Sequence, residues 1–235
     1  MPRASNRKRV ALLALTLAFA AAFTALGIWQ IERRAGKLAL IAAVASRVDA
    51  PPTAPPAPAQ WAGVSAAHDQ YRHVTVTGRL DQGRETLVRT VTERGPGFWV
   101  MTPLVTADRG TILINRGFVP EALAHRKSRQ ALEGQNASIT GLLRISEPGG
   151  RILRANDPTQ DRWFSRDVAA ISQARGLGPT APFFIDADDK PNPGGWPLGG
   201  LTIIAFPNNH LVYAVTWFTL AALCLCGFGM VWRQD

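Results

Sequence analysis

Cysteine is almost missing from this chain. Its two, Cys224 and Cys226, lie inside the last apolar run, so whatever folds outside that run is held without disulfides and must rely on a buried core. A Cys-x-Cys pair invites a copper reading, but residues two apart on a helix point about 200° apart, and the pair reads as small apolar filler. Histidine is scarce too, with four in 235 residues, and none has zinc-ligand spacing. The chain carries no Ser-His-Asp order and no Gly-rich phosphate loop. Its clustered carboxylates, Asp186, Asp188 and Asp189 beside Lys190 in "DADDK", read as a solvated turn. The expectation is a protein that is not an enzyme, with no catalytic residue assigned.

Acid is also in short supply, which leaves a net charge of +9. Much of the excess sits in the tails: without their five basic residues and one acid, 21 basic and 16 acidic residues remain between Glu32 and Asn209. These are dispersed, and no block combines basic and aromatic residues into a strand-binding stripe, so nucleic acid is not an expected partner. The mild arginine surplus suits anionic groups such as lipid heads and carboxylates.

Charge is wholly lacking in two long stretches, and these are the strongest features present. "VALLALTLAFAAAFTALGIW", Val10 to Trp29, follows a tail containing Arg3, Arg7, Lys8 and Arg9. Leu211 to Trp232 gives 22 uncharged residues, which at 1.5 Å rise per residue span roughly 30 Å of hydrocarbon. Both are candidate membrane helices. A cleaved leader is the alternative for the first, since "AFA" at 18–20 has the form of a cleavage site. Against it, a leader's apolar core is usually about 7 to 15 residues, and this run ends in an interfacial Trp29–Gln30 pair. The basic amino tail favours the cytoplasm, although Arg33, Arg34 and Lys37 weaken the bias; no Lys or Arg lies between Lys190 and Arg233, so the second helix carries its positive flank at its carboxyl end. Both tails therefore read as cytoplasmic and the middle as translocated.

The expected division is a tail at 1–9, a first transmembrane helix at 10–31, its helical extension at 32–49, a Pro-rich linker or strap at 50–60, a β-rich domain at 61–209, a second transmembrane helix at 210–232 and a tail at 233–235. In "ERRAGKLALIAAVASRV" the cations line one side and Leu38, Ile41 and Val44 or Ala45 another. "APPTAPPAPA" cannot continue that helix. Strands are predicted in "YRHVTVTGRL", where Val74 and Val76 alternate with His73, Thr75 and Thr77, and in "ETLVRTV", "NASITGLLRIS" and "APFFID". A hairpin is predicted in "GFWVMTPLVTADRGTILINRGFVP", turning at Asp108–Gly110, with Ile112 and Ile114 facing inward and Gly117 and Pro120 bending or ending its second strand. "SRDVAAISQARGLG" reads as a short helix. The fold class is two transmembrane helices flanking a mainly antiparallel β domain, a small barrel or sandwich, with one or two short helices. "DKPNPGGWPLGG" is an ordered loop, with Trp196 as its interfacial anchor. Its glycines either simply connect elements or let the backbone approach another molecule closely.

Six stretches in this order, "LGIWQIERRAGKLALI", "YRHVTVTGRL", "TPLVTADRGTILINRGFVP", "GLLRISEP", "PNPGGWPLGG" and "NNHLVYAVTWFTLA", resemble the Surfeit locus protein 1 family, membrane assembly factors for cytochrome c oxidase. The resemblance covers nearly the whole chain. It implies a multi-pass protein of the bacterial inner membrane with its soluble domain on the periplasmic side. It implies partners in oxidase subunit I, haem a synthesis enzymes or other assembly factors, and membrane lipids, with haem a as a transient cargo. The family's haem-associated histidine and tryptophan match His210 and Trp217. Gly36 stands where many relatives carry a bulky aromatic, and Val212 where a glutamine is common; the second change removes a hydrogen-bond partner near His210.

Residues alone leave two roles open to His210. It is either an interfacial side chain with Asn208 or Asn209 capping the helix, or a neutral imidazole that ligates haem iron. In the second role Trp217, about 10.5 Å deeper on nearly the same helix face, and Tyr213 between them line the macrocycle or its tail. His68, His73 and His125 read as solvated or strand-packing residues. A haem-free chaperone or scaffold holding an oxidase assembly intermediate is the alternative function.

Overall fold

Why the chain folds in two parts follows from its two kinds of sequence. The computed structural model describes residues 3–124, 136–151 and 153–233, and the chain divides into Met1–Ala43 with Ile204–Asp235 as one unit and Val44–Ile203 as the other.

The first unit is helical. Helix α1 runs unbroken over Arg3–Val48 and stops where Pro51 and Pro52 follow, since proline neither donates to the helix ladder nor leaves room for the preceding turn. The last helix of the chain covers His210–Trp232. Both it and the part of α1 from Arg7 onward are long and apolar enough to cross a membrane. The two helices touch at both ends of this stretch: Arg9 Nη2 donates to Trp232 O at 2.8 Å, and the His210 and Gln30 side chains meet at 2.7 Å. From Arg9 to Gln30 and from His210 to Trp232 are equal advances of about 32 Å, so the pair is antiparallel. Small residues carry the contact, with Ala20, Ala214 and Ala221 buried, and a Cβ on Gly27 would lie 2.6 Å from the ring of Phe218. Close approach at small residues is how helices associate where hydrocarbon solvates apolar side chains as well as protein does.

The second unit is the β domain. Its strands are β1 (His73–Leu80), β2 (Thr86–Thr92), β3 (Gly95–Val105), β4 (Thr111–Pro120), β5 (Asn136–Ile145) and β6 (Thr180–Ala187), with short helices α2 (Ala66–Asp69) and α3 (Val168–Ala174); His210–Trp232 is therefore α4. The strands follow the order β1-β5-β6-β4-β3-β2, and β1 also pairs with β3 through Arg79↔Val105 and Leu80↔Leu104. That last pairing closes five strands into a barrel and leaves β2 as an extension of β3. The expectation of a small barrel or sandwich resolves to the barrel. All pairs are antiparallel except β4 with β6, which is parallel and sets Asn115 opposite Asp186.

Strand β4 is the centre of the unit and is buried on both faces. Ile112 and Ile114 point into the barrel with Val74, Val76, Leu104, Phe183 and Ile185. Leu113 points the other way, into a second cluster with Val88, Met101, Trp163, Ile171 and Phe184 beneath α3. The hairpin turn before β4 is tied by Thr106, whose hydroxyl donates to Gly110 O and accepts from Arg109 N. The proline-rich segment lies along β1 as a strap: Thr53 N donates to His73 O and Thr75 N to Thr53 O, while Arg109 Nη1 donates to Pro55 O. The Gly-Pro loop docks on β4, where Phe118 and Leu198 exchange backbone hydrogen bonds at 2.9 Å. A Cβ on Gly117, at φ +123°, would sit 1.9 Å from Leu198 O. These glycines let the chain approach itself.

Two substitutions test this packing. Ile114→Ala should lower the unfolding free energy by about 2–5 kcal/mol in denaturant titration, and unchanged stability would remove Ile114 from the core. Gly117→Ala should lower the thermal midpoint and free the 191–200 loop to proteolysis, because backbone lies where the new methyl group would be.

Candidate functional site

His210 opens α4, and its surroundings differ from a simple interfacial position. Asn209 occupies the N-cap position without a side-chain capping bond, and Asn208 Oδ1 is buried without a hydrogen-bond partner. The partner of the imidazole is on the other helix: His210 Nδ1 lies 2.7 Å from Gln30 Oε1, and Gln30 is buried. An amide oxygen accepts, so Nδ1 carries the proton. Nε2 then presents its lone pair, and it has no partner among the described residues. Fixing one ring nitrogen to orient the other is the usual arrangement around a ligating histidine. The glutamine that meets the imidazole is Gln30 of α1, while Val212 is exposed.

Trp217 shares the face of α4 that carries His210, Ala214 and Ala221. Its ring stacks on Phe23 at 5.7 Å, and Phe23 stacks on Phe19 at 5.9 Å. Tyr213 does not join them, being exposed at 55% of its surface. The structure thus brings His210 and Trp217 together on the face toward α1 and leaves Tyr213 off it.

Two of the other histidines, His68 and His73, belong to the β unit. His68 is exposed and bonds Ser65 Oγ at 3.0 Å. His73, on β1, has Ala50 O at 2.9 Å from Nδ1 and Asp188 Oδ2 at 3.3 Å from Nε2. His125 lies outside the described residues.

The β domain holds a polar centre that the sequence reading placed wrongly. Asp186 is no part of a solvated turn: at the end of β6 it is 4% exposed and accepts from Asn115 Nδ2 at 2.7 Å, Arg144 Nη1 at 2.7 Å, Arg166 Nη1 at 3.0 Å and Thr202 Oγ1 at 3.0 Å. Glu147 holds the other edge of Arg166, through Nε at 3.1 Å and Nη2 at 2.5 Å. Burial works against the charged form of Arg166, but Asp186 and Glu147 outweigh it and raise the guanidinium above the ordinary arginine value. Phe184 lies between two cations, with Arg166 at 4.7 Å and Arg144 at 6.0 Å from its ring centroid. In sequence "FIDADDK" resembles a charge run; the only hint was that strand alternation places Asp186 on the face opposite Ile185, with Phe184.

A model of the SURF1 family matches residues 17–222. Surfeit locus protein 1 of Homo sapiens is 36% identical over 216 residues, covering 84% of this chain and 69% of that protein. The Rattus norvegicus protein of the same name is 35% identical, covering 84% and 68%. A SURF1-like protein of Monosiga brevicollis is 38% identical, covering 85% and 79%.

Asp186→Ala should be strongly destabilising, by about 3–5 kcal/mol, because it leaves two buried guanidiniums short of a counter-charge. Asp186→Asn, nearly isosteric, should still fold with reduced stability. Differential scanning calorimetry of the two variants would separate lost charge from lost volume, and a neutral Asp186→Ala would show that the network is dispensable.

Proposed function

Since this chain belongs to the SURF1 family, we propose that it is a membrane-anchored assembly factor for a haem-copper terminal oxidase that binds haem a and aids its delivery to subunit I. The observation that carries the haem part is the His210–Gln30 pair. A neutral imidazole with its proton held on Nδ1 offers Nε2 as a donor of the kind that takes an axial position on haem iron. Gln30 sets the tautomer and holds the ring plane. The single histidine suits a carrier, because cargo held by one protein ligand is released more readily than cargo closed between two. Trp217, stacked on Phe23, gives an aromatic wall one turn and more below the histidine. Haem a here is cargo, not a resident group. The reading is of a carrier rather than an enzyme, with subunit I, haem a synthesis enzymes and other assembly factors as partners.

The test is a visible spectrum of the full chain purified after coexpression with haem a synthesis enzymes. His210→Ala leaves α4 apolar enough to insert, so protein level should persist while bound haem falls or changes ligation state. Trp217→Ala removes packing but no ligand, so it should weaken retention and keep the ligation type. Unchanged haem content and spectrum in His210→Ala at normal protein level would move the function to a haem-free chaperone holding an assembly intermediate.

The proposed location is the bacterial cell membrane, with both tails cytoplasmic and residues from about 33 to 209 on the periplasmic side; the basic amino tail and Arg233 support this orientation. A reporter active only in the cytoplasm should work at either end of the chain. It should fail after Arg129, a position outside the described residues, and activity there would overturn the orientation.

A further inference from the structure

A cavity of about 470 Å³ opens beside the Asp186 network, within the size range of small-molecule sites. Four arginines line it, Arg94, Arg144, Arg151 and Arg166, against two acids, Glu93 and Asp186. The charges are not equivalent. All three nitrogens of Arg166 bond Glu147 or Asp186, and Arg144 gives Nη1 to Asp186 with Nη2 3.7 Å from Glu147 Oε1. Arg144 Nε has no hydrogen-bond partner but is itself buried, out of a ligand's reach, with its guanidinium 4.9 Å over the Tyr71 ring. At the rim, the side chains of Arg94 and Arg151 are exposed and have no acceptor among the described residues. Once Asp186 and Glu147 have neutralised the inner pair, the charge left to the cavity is two rim guanidiniums against Glu93 alone.

The remaining wall is apolar or bare. Val91 is 72% exposed and Ile203 73% exposed, large values for branched side chains lining one cavity. Leu201 lies with them, and Gly117, Gly199 and Gly200 contribute backbone without side chains. We propose that this cavity binds the oxyanion end of an amphipathic ligand. A carboxylate or phosphate is held by Arg94 and Arg151 at the rim, and the apolar body of the ligand lies against Val91, Leu201 and Ile203. Planar guanidiniums match these oxyanions in geometry as well as charge. A fully solvated anion would leave the exposed branched residues unused. The proposal does not depend on His210.

The experiment titrates the full chain in neutral detergent and follows tryptophan emission, with Trp99→Phe as the control that isolates the one of seven tryptophans lining the cavity. One arm uses phosphatidylglycerol against phosphatidylcholine, and the other a metal-free porphyrin dicarboxylic acid against its dimethyl ester; inorganic phosphate is the headgroup-only probe. At least one anionic amphiphile should bind the native chain and lose about tenfold or more in affinity in the Arg94→Gln/Arg151→Gln double variant, as expected for two lost charge-assisted contacts. Its uncharged or zwitterionic counterpart should show no such difference. The arm that responds identifies the source as lipid or tetrapyrrole carboxylate. His210→Ala should leave binding unchanged. Equal affinity of the native and double-variant chains in both arms would overturn the proposal. So would inorganic phosphate binding as tightly as either amphiphile, or loss of binding in His210→Ala.

Discussion

A carboxylate buried in a domain without disulfides has to be surrounded by donors, and Asp186 sets that condition for the β unit. It joins four parts of the chain: β4 through Asn115, β5 through Arg144, the segment before α3 through Arg166, and the stretch after the Gly-Pro loop through Thr202. The parallel pairing of β4 with β6 is what places Asn115 directly across from it. A slip of one residue would turn the acid into the barrel in place of Phe183 and Ile185 and strand both arginines. The network therefore adds to the hydrophobic pattern in fixing the register of β6.

The same centre explains the use of glycine nearby. Gly141 lies on β5 where a Cβ would meet Asp186 O at 2.1 Å, and Gly199 lies where one would meet Asp188 O at 2.1 Å. Backbone from β5, β6 and the Gly-Pro loop converges on one small volume, and side chains there would push the strands apart. The convergence packs the polar centre tightly while leaving the adjoining wall bare. That is the condition under which a cavity persists beside a well-packed core.

How legible all this was in the sequence differs by the range of the interaction. Val74 and Val76 were readable because alternation along β1 reports its own burial, and Asp108–Gly110 because a turn is local. His210 and Trp217 were readable as a pair because seven residues make nearly two helical turns. Gln30 was not: its contact with His210 bridges two helices distant in sequence, and nothing in "IWQIERR" marks that glutamine as a partner. Asp186 was misread for a related reason. "DADDK" has the composition of a solvated turn, and only the register of β6 against β4 and β5 shows that its first carboxylate is enclosed. The choice of barrel over sandwich depended on two residue pairs between β1 and β3, which no local pattern encodes.

The membrane unit meets the analogous problem with fewer means. An imidazole at the end of an apolar helix loses hydration and needs a partner, and the antiparallel pairing of α1 with α4 brings Gln30 to it. Gln30 is itself buried, so each side chain satisfies the other. One imidazole nitrogen is thereby consumed in holding the ring, and the other has no partner among the described residues. If the pair served only to bury polar groups, an amide in place of the imidazole would satisfy Gln30 equally well. A glutamine at position 210 would not, however, present a nitrogen lone pair with its orientation already fixed.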